Sequence, residues 1–100
     1  MEVNLMENRL EFIAKDNLVA ANLEAQMSVI KDAMSKYSDI TEVTLNLKNV
    51  TEIDSMGINL VVGLYKQVNA ASKKFSVNNV SRPILNLFNL FKLTSYFDVS

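Results

Sequence analysis

Asp54-Ser55-Met56-Gly57 brings a carboxylate and a hydroxyl together between a strand-like run, Val43-Thr44-Leu45-Asn46-Leu47, and an apolar helical pattern that opens at Ile58. A serine so placed lies at a helix N-terminus, where free backbone N–H groups and the helix dipole receive a negative group. Two readings follow. The hydroxyl caps the helix, a contribution of ~1 kcal/mol, or it is a switch that gains and loses a phosphate. A third reading, a catalytic nucleophile, needs a base to take the serine proton. The chain has no histidine, no lysine three residues after Ser55, and no Gly-x-Ser-x-Gly context. No catalytic residue is therefore assigned, and the chain is not read as an enzyme. Asp54 with Glu52 two residues before it is too sparse for a metal site or phosphoacceptor; its simpler role is to favour the positive helix start. No metal and no cofactor are expected.

The composition narrows the function further. There is no cysteine, which excludes disulfides, thiol redox chemistry and thiolate zinc sites. Without histidine the commonest general base, metal ligand and pH switch is also missing. The net charge is −1, and Lys73-Lys74 is the one adjacent basic pair, so nucleic acid is not an expected partner. No apolar run reaches the ~18 residues of a membrane span. The N-terminus, Met1-Glu2-Val3-Asn4, has neither a basic start nor an apolar stretch, so no secretory signal is read and the cytoplasm is the expected location. Residues 1–100 are expected to form one domain.

The elements that must hold Ser55 in place can be read from periodicity. Val3–Met6 and Leu10–Ala14 form two short strands, joined tightly at Glu7-Asn8-Arg9 without the favoured glycine. Residues 16–37 form a helix with an irregular start, its apolar stripe at Leu23, Met27, Ile30 and Met34. Glu42–Leu47 alternates, with Val43, Leu45 and Leu47 on one face and Thr44 and Asn46 on the other. A helix between strands at this spacing makes a βαβ crossover and parallel pairing. After a loop, a second helix runs from about Ser55 to Ser72 with Val61, Leu64, Val68 and Ala71 on its core face, widened by Met56, Leu60 and Ala70. Lys74–Val80 is a strand. Ser81-Arg82-Pro83 starts a short helix with a capping hydroxyl and a first-turn proline, and Ile84, Leu87, Phe88 and Phe91 fall at core spacing. Tyr96–Val99 ends the order β-β-α-β-α-β-α-β.

Three features have competing explanations. Gly57 and Gly63 each cost the second helix ~1 kcal/mol against alanine; Gly57 permits a close backbone approach, and Gly63 seats the helix on a sheet. The dense run Leu85, Leu87, Phe88, Leu90, Phe91 and Leu93 is a partner groove, a membrane-surface helix or core; with Lys92 its one downstream charge, core is favoured. Met27, Met34 and Met56 read as core filler.

With Asp54-Ser55-Met56-Gly57-Ile58 on a loop-to-helix junction, the chain resembles a STAS domain, and within that family the bacterial anti-sigma factor antagonists. Strand Val43–Leu47, loop Val50–Gly57, helix Ile58–Gln67, strand Phe75-Ser76-Val77 and the helix Pro83–Phe88 with Leu93 carry the resemblance, which covers most of Val3–Val99. It implies an α/β STAS fold, a mixed sheet of four or five strands with helices packed against it. It implies a phosphorylation-controlled partner-switching module. The unphosphorylated form binds an anti-sigma factor serine kinase, a histidine-kinase-like ATPase, and so frees a sigma factor. The kinase phosphorylates the signature serine, here Ser55, and a PP2C-type phosphatase reverses this. The partner-binding positions are then Asp54, Ser55, Met56, Gly57, Ile58 and Asn59. Free-standing members also act as constitutive, unphosphorylated subunits of larger assemblies, such as lipid-transport ATPase complexes. The sequence departs from the family pattern at Asp16 and Val19, in the turn into the first helix, and at Met56, where a small residue is common. It also stops at Ser100, where many relatives continue into a last helix; the surface so uncovered favours a homodimer.

Overall fold

The rows of residues across the sheet explain the layering. The computed structural model describes all residues, 1–100. It contains β1 (Glu2–Met6), β2 (Arg9–Ile13), α1 (Ala20–Lys36), β3 (Glu42–Asn46), α2 (Ser55–Ala70), β4 (Lys74–Asn78), α3 (Arg82–Leu90), a 3₁₀ turn (Leu93–Ser95) and β5 (Asp98–Val99). The element order is the one read from the sequence, and the 3₁₀ turn is an addition to it. The strands lie side by side in chain order, β1-β2-β3-β4-β5. β1 runs antiparallel to β2, and the other pairs are parallel.

Three successive crossovers step in the same direction across this sheet. Such crossovers are right-handed, and equal handedness with equal direction places every helix on the same face. The side chains agree. The rows Val3-Phe12-Leu45-Val77 and Leu5-Leu10-Val43-Phe75 are apolar, and their β2, β3 and β4 members are buried in the core with Ile30, Val61, Leu64 and Val68 of the helices. The alternate row, Asn4-Glu11-Thr44-Ser76, is polar and lies on the face that carries no helix. There Thr44 Oγ1 and Ser76 Oγ stand 3.2 Å apart, and Asn46 accepts from Asn79 Nδ2 at 3.1 Å. The alternation read in β3 therefore separates helix side from open side, although Thr44 and Asn46 are themselves shielded by their neighbours.

Local structure departs from the sequence reading at several points. The β1–β2 turn manages without glycine because Glu7 takes a left-handed φ of 53°. Helix α1 starts at Ala20 rather than 16, because residues 14–18 are held by other partners: Ala14 N–H donates to Asn46 O, Leu18 N–H donates to Glu52 O, and Leu18 O accepts from Asp54 N–H. Met27 and Met56 are not core filler; they are 42% and 51% exposed, while Met34 packs partly against the core. Ala70 and Ala71, the last residue of α2 and its C-cap, are exposed. In α3, Ile84 and Phe88 are buried as their spacing predicts, but Phe91 caps the helix C-terminus and is 52% exposed. Ser81 is the α3 N-cap residue by position, yet its hydroxyl makes no capping hydrogen bond.

The two glycines of α2 separate cleanly. Gly63 does not seat the helix on the sheet. It is exposed, and a Cβ built there meets nothing within 4 Å. It lies over a groove between α1 and α2 lined by Met27, Ile30, Leu60 and Leu64. Gly63→Ala is expected to raise stability by ~0.5–1 kcal/mol, since only the glycine's propensity cost is removed; a urea midpoint that falls instead would contradict this.

Candidate functional site

Two loops meet at the carboxyl ends of the parallel strands, where open α/β sheets place their sites. The β2–α1 loop (14–19) and the β3–α2 loop (47–54) are stitched by main-chain bonds and by one asparagine. Leu18 and Ile53 form an isolated parallel bridge. Asn17 Oδ1 accepts from Thr51 N–H at 2.9 Å, Glu52 N–H at 3.1 Å and Thr51 Oγ1 at 3.3 Å. Its own carbonyl accepts from Asn22 Nδ2 at 3.2 Å. Asn17 and Leu18 were not singled out from the sequence. An asparagine shortly before a helix is a faint signal of such a loop anchor, but its partners lie 34 and 35 residues away.

The helix cap is Asp54, and Ser55 is the first residue of α2. The reading of Ser55 as the capping residue is corrected by this: aspartate and serine are both strong caps, and Asp54 holds the extended backbone that the position requires. Asp54 caps two helices at once. Its Oδ1 accepts from Gly57 N–H at 2.9 Å, in the first turn of α2, and its Oδ2 accepts from Ala20 N–H at 2.9 Å, where α1 begins. The Ala20 and Gly57 N–H groups hold its carboxyl below the ordinary 3.8. The carboxylate is thus ionised and locks two helix N-termini together.

Gly57 completes the joint. A Cβ there would lie 2.0 Å from Leu18 O and 2.6 Å from Ile53 Cγ1. The close backbone approach expected of this glycine is present, and its partner is the first loop. Of the six positions picked out by the resemblance, Ser55, Met56 and Asn59 face solvent, Asp54 is half-buried and committed to its two caps, and Gly57 and Ile58 are buried and face inward. Ser55 takes part in none of the hydrogen bonds that hold these loops. Beside it, Val19, Thr51 and Ile53 form a groove with Pro83, Ile84 and Leu87 of α3. No group of three or more acidic, histidine or cysteine side chains gathers to hold a metal.

A five-stranded mixed sheet with all helices on one side defines a known class. The chain belongs to the STAS domain family, whose pattern it matches over residues 3–100. It is similar to an anti-sigma F factor antagonist of Paenibacillus polymyxa, 32% identical over 59 residues. That match takes in 56% of this chain and 50% of the relative, so the similarity spans about half the relative's length. Solved structures show the same fold. A Thermotoga maritima protein superposes with a TM-score of 0.88 at 15% identity, covering 98% of this chain and 83% of its own. The anti-sigma factor antagonist SpoIIAA in its unphosphorylated form superposes at 0.71, with 18% identity and coverage of 89% and 81%. Bacillus SpoIIAA in its phosphorylated form superposes at 0.75, with 17% identity and coverage of 99% and 89%. No helix of the chain is long and apolar enough to cross a membrane.

Proposed function

We propose that this STAS domain is an anti-sigma factor antagonist controlled by phosphate on Ser55. It is a binding module rather than an enzyme, and it works in the cytoplasm. Unphosphorylated, it binds an anti-sigma factor serine kinase of the histidine-kinase-like ATPase type and releases the sigma factor. Phosphate on Ser55 ends the complex, and a PP2C-type phosphatase restores binding. The observation that carries the reading is the position of Ser55: exposed, outside the hydrogen bonds of the joint, and fixed at the first residue of α2. The existence of SpoIIAA in phosphorylated and unphosphorylated forms supports it.

The local physics fits such a switch. A phosphoserine brings ~1.5–2 negative charges at pH 7. The α2 N-terminus tolerates that charge, while ionised Asp54 beside it opposes it. The fold is kept, and a partner surface that must cover Ser55, Met56 and Asn59 meets a bulky dianion. Ser55→Ala should retain kinase binding and take up no phosphate, and Ser55→Asp should bind at least ~10-fold more weakly. The check is incubation with an anti-sigma factor serine kinase and ATP, followed by mass spectrometry. Absence of added phosphate at Ser55 ends this reading, and recovery of a transporter ATPase in a pull-down would point to a constitutive subunit instead.

A further inference from the structure

The outer edge of β1 is unpaired and lacks lysine, proline and a bulge. Alternate residues of a strand direct their peptide groups to opposite sides. Asn8 O accepts from Glu42 N–H at 3.2 Å and Ala14 N–H donates to Asn46 O at 3.1 Å, so the even-numbered positions along β2 serve β3. Arg9, Glu11 and Ile13 therefore serve β1, opposite Met6, Asn4 and Glu2. That leaves the N–H and C=O groups of Val3 and Leu5 directed outward. Natural edges are blunted by lysine, proline or a bulge. The sequence Glu2-Val3-Asn4-Leu5-Met6 has no lysine or proline, and its register with β2 is unbroken. Leu5 and Met6 are 49% and 40% exposed.

We propose that β1 pairs antiparallel with β1 of a second copy of this chain, about a two-fold axis through Asn4. The strand is self-complementary in that register. Val3 of each copy faces Leu5 of the other, with about four main-chain hydrogen bonds between them. Both residues lie on the helix-bearing side, in line with Phe12 and Leu10, so the apolar rows run on across the junction. On the open side Asn4 meets its counterpart, and Glu2 of each copy faces Met6 of the other, so no like charges are opposed. Charge complementarity favours the same register. Arg9 Nη2 lies 3.7 Å from Met6 Sδ, and its Nε is buried without a partner. The guanidinium therefore reaches over the edge strand towards the place where the second Glu2 arrives. Glu2 is free to share, because its pairing with Lys15 is long, at 3.8 Å, and exposed. The junction lies at the outer edge of β1, two strands away from β3, whose carboxyl end leads to Ser55.

Five paired residues bury less than a standard interface of ~1,600 Å², and the expected dissociation constant is roughly 10 μM to 1 mM. Sedimentation equilibrium across that range should show the mass rising from 11.2 kDa towards twice that value. Amide exchange at Val3 and Leu5 should slow with concentration. Leu5→Lys and Leu5→Pro should weaken pairing at least ~10-fold, because Leu5 N–H is not used within the monomer and an edge tolerates both changes. Leu5→Lys serves alone if the proline variant does not fold by circular dichroism. A monomer at every concentration, or a dimer indifferent to Leu5→Lys, overturns the proposal.

Discussion

Gly57→Ala is expected to lower stability by about 3 kcal/mol, a large share of the ~5–15 kcal/mol that holds a domain of this size. The new methyl group would stand 2.0 Å from Leu18 O and 2.9 Å from Leu18 C, and these are main-chain atoms that cannot rotate away. Relief requires the β2–α1 loop to withdraw from α2. That movement strains the Leu18–Ile53 bridge and the bond from Asp54 N–H to Leu18 O, 3.1 Å long. The damage therefore reaches the setting of Ser55 as well as the fold. Urea unfolding gives the stability change, and amide shifts of residues 17–20 give the displacement. A variant with an unchanged midpoint would show that the two loops are looser than this geometry.

Asp54→Ala should lower Tm by at least about 5 °C, because one substitution removes a cap from each of two helices. Asp54→Asn is the sharper probe. Asparagine offers one acceptor oxygen, so the N–H of Ala20 or of Gly57 is left facing an amide NH2. The carboxylate also gives the contribution a direction in pH. Its folded-state pKa lies below the ordinary 3.8, so the ionised form is the one the fold favours. The stabilisation is complete above the unfolded value and is lost as pH falls through the folded one. The Tm difference between wild type and Asp54→Asn should thus be constant from neutral pH down to about pH 5 and shrink below about pH 4. A difference that stayed constant to pH 2 would remove the carboxylate from this role. Exchange at the Ala20 and Gly57 amides should quicken together in Asp54→Ala, whereas a cap on α2 alone would quicken Gly57 only.

What the sequence showed and what it hid divide along the range of the forces involved. The strands and the three helices, in their succession along the chain, follow from periodicity, a local property, within a few residues; the side-by-side order of the strands in the sheet does not. The starts and ends were harder. Asp54 and Ser55 are equally good caps by type, and only the extended backbone at Asp54 decides between them. Residues 16–19 had the composition of a helix start, yet bonds to residues 51–54 withhold them from α1. Gly57 and Gly63 are alike in sequence. The difference is what stands opposite each: the Leu18 carbonyl at one, open groove at the other. Met56 and Phe91 keep the apolar spacing of their helices, but both sit at a helix end and are exposed. The second acceptor of Asp54, its bond to Ala20, spans 34 residues and left no local trace.

The strand order has a further consequence, for assembly. Because β1 to β5 stand side by side in chain order, each unit leaving a ribosome meets an edge that its predecessor has just completed. No strand must wait for a later one to be inserted between itself and its neighbour, so each parallel pairing closes only the one crossover just made, from Arg9 to Glu42, from Glu42 to Lys74 and from Ser76 to Asp98. The joint that sets Ser55 needs only the segments up to α2. It can be complete while β4, α3 and β5 are still being made, so the joint around Ser55 is among the first parts of the domain that can form.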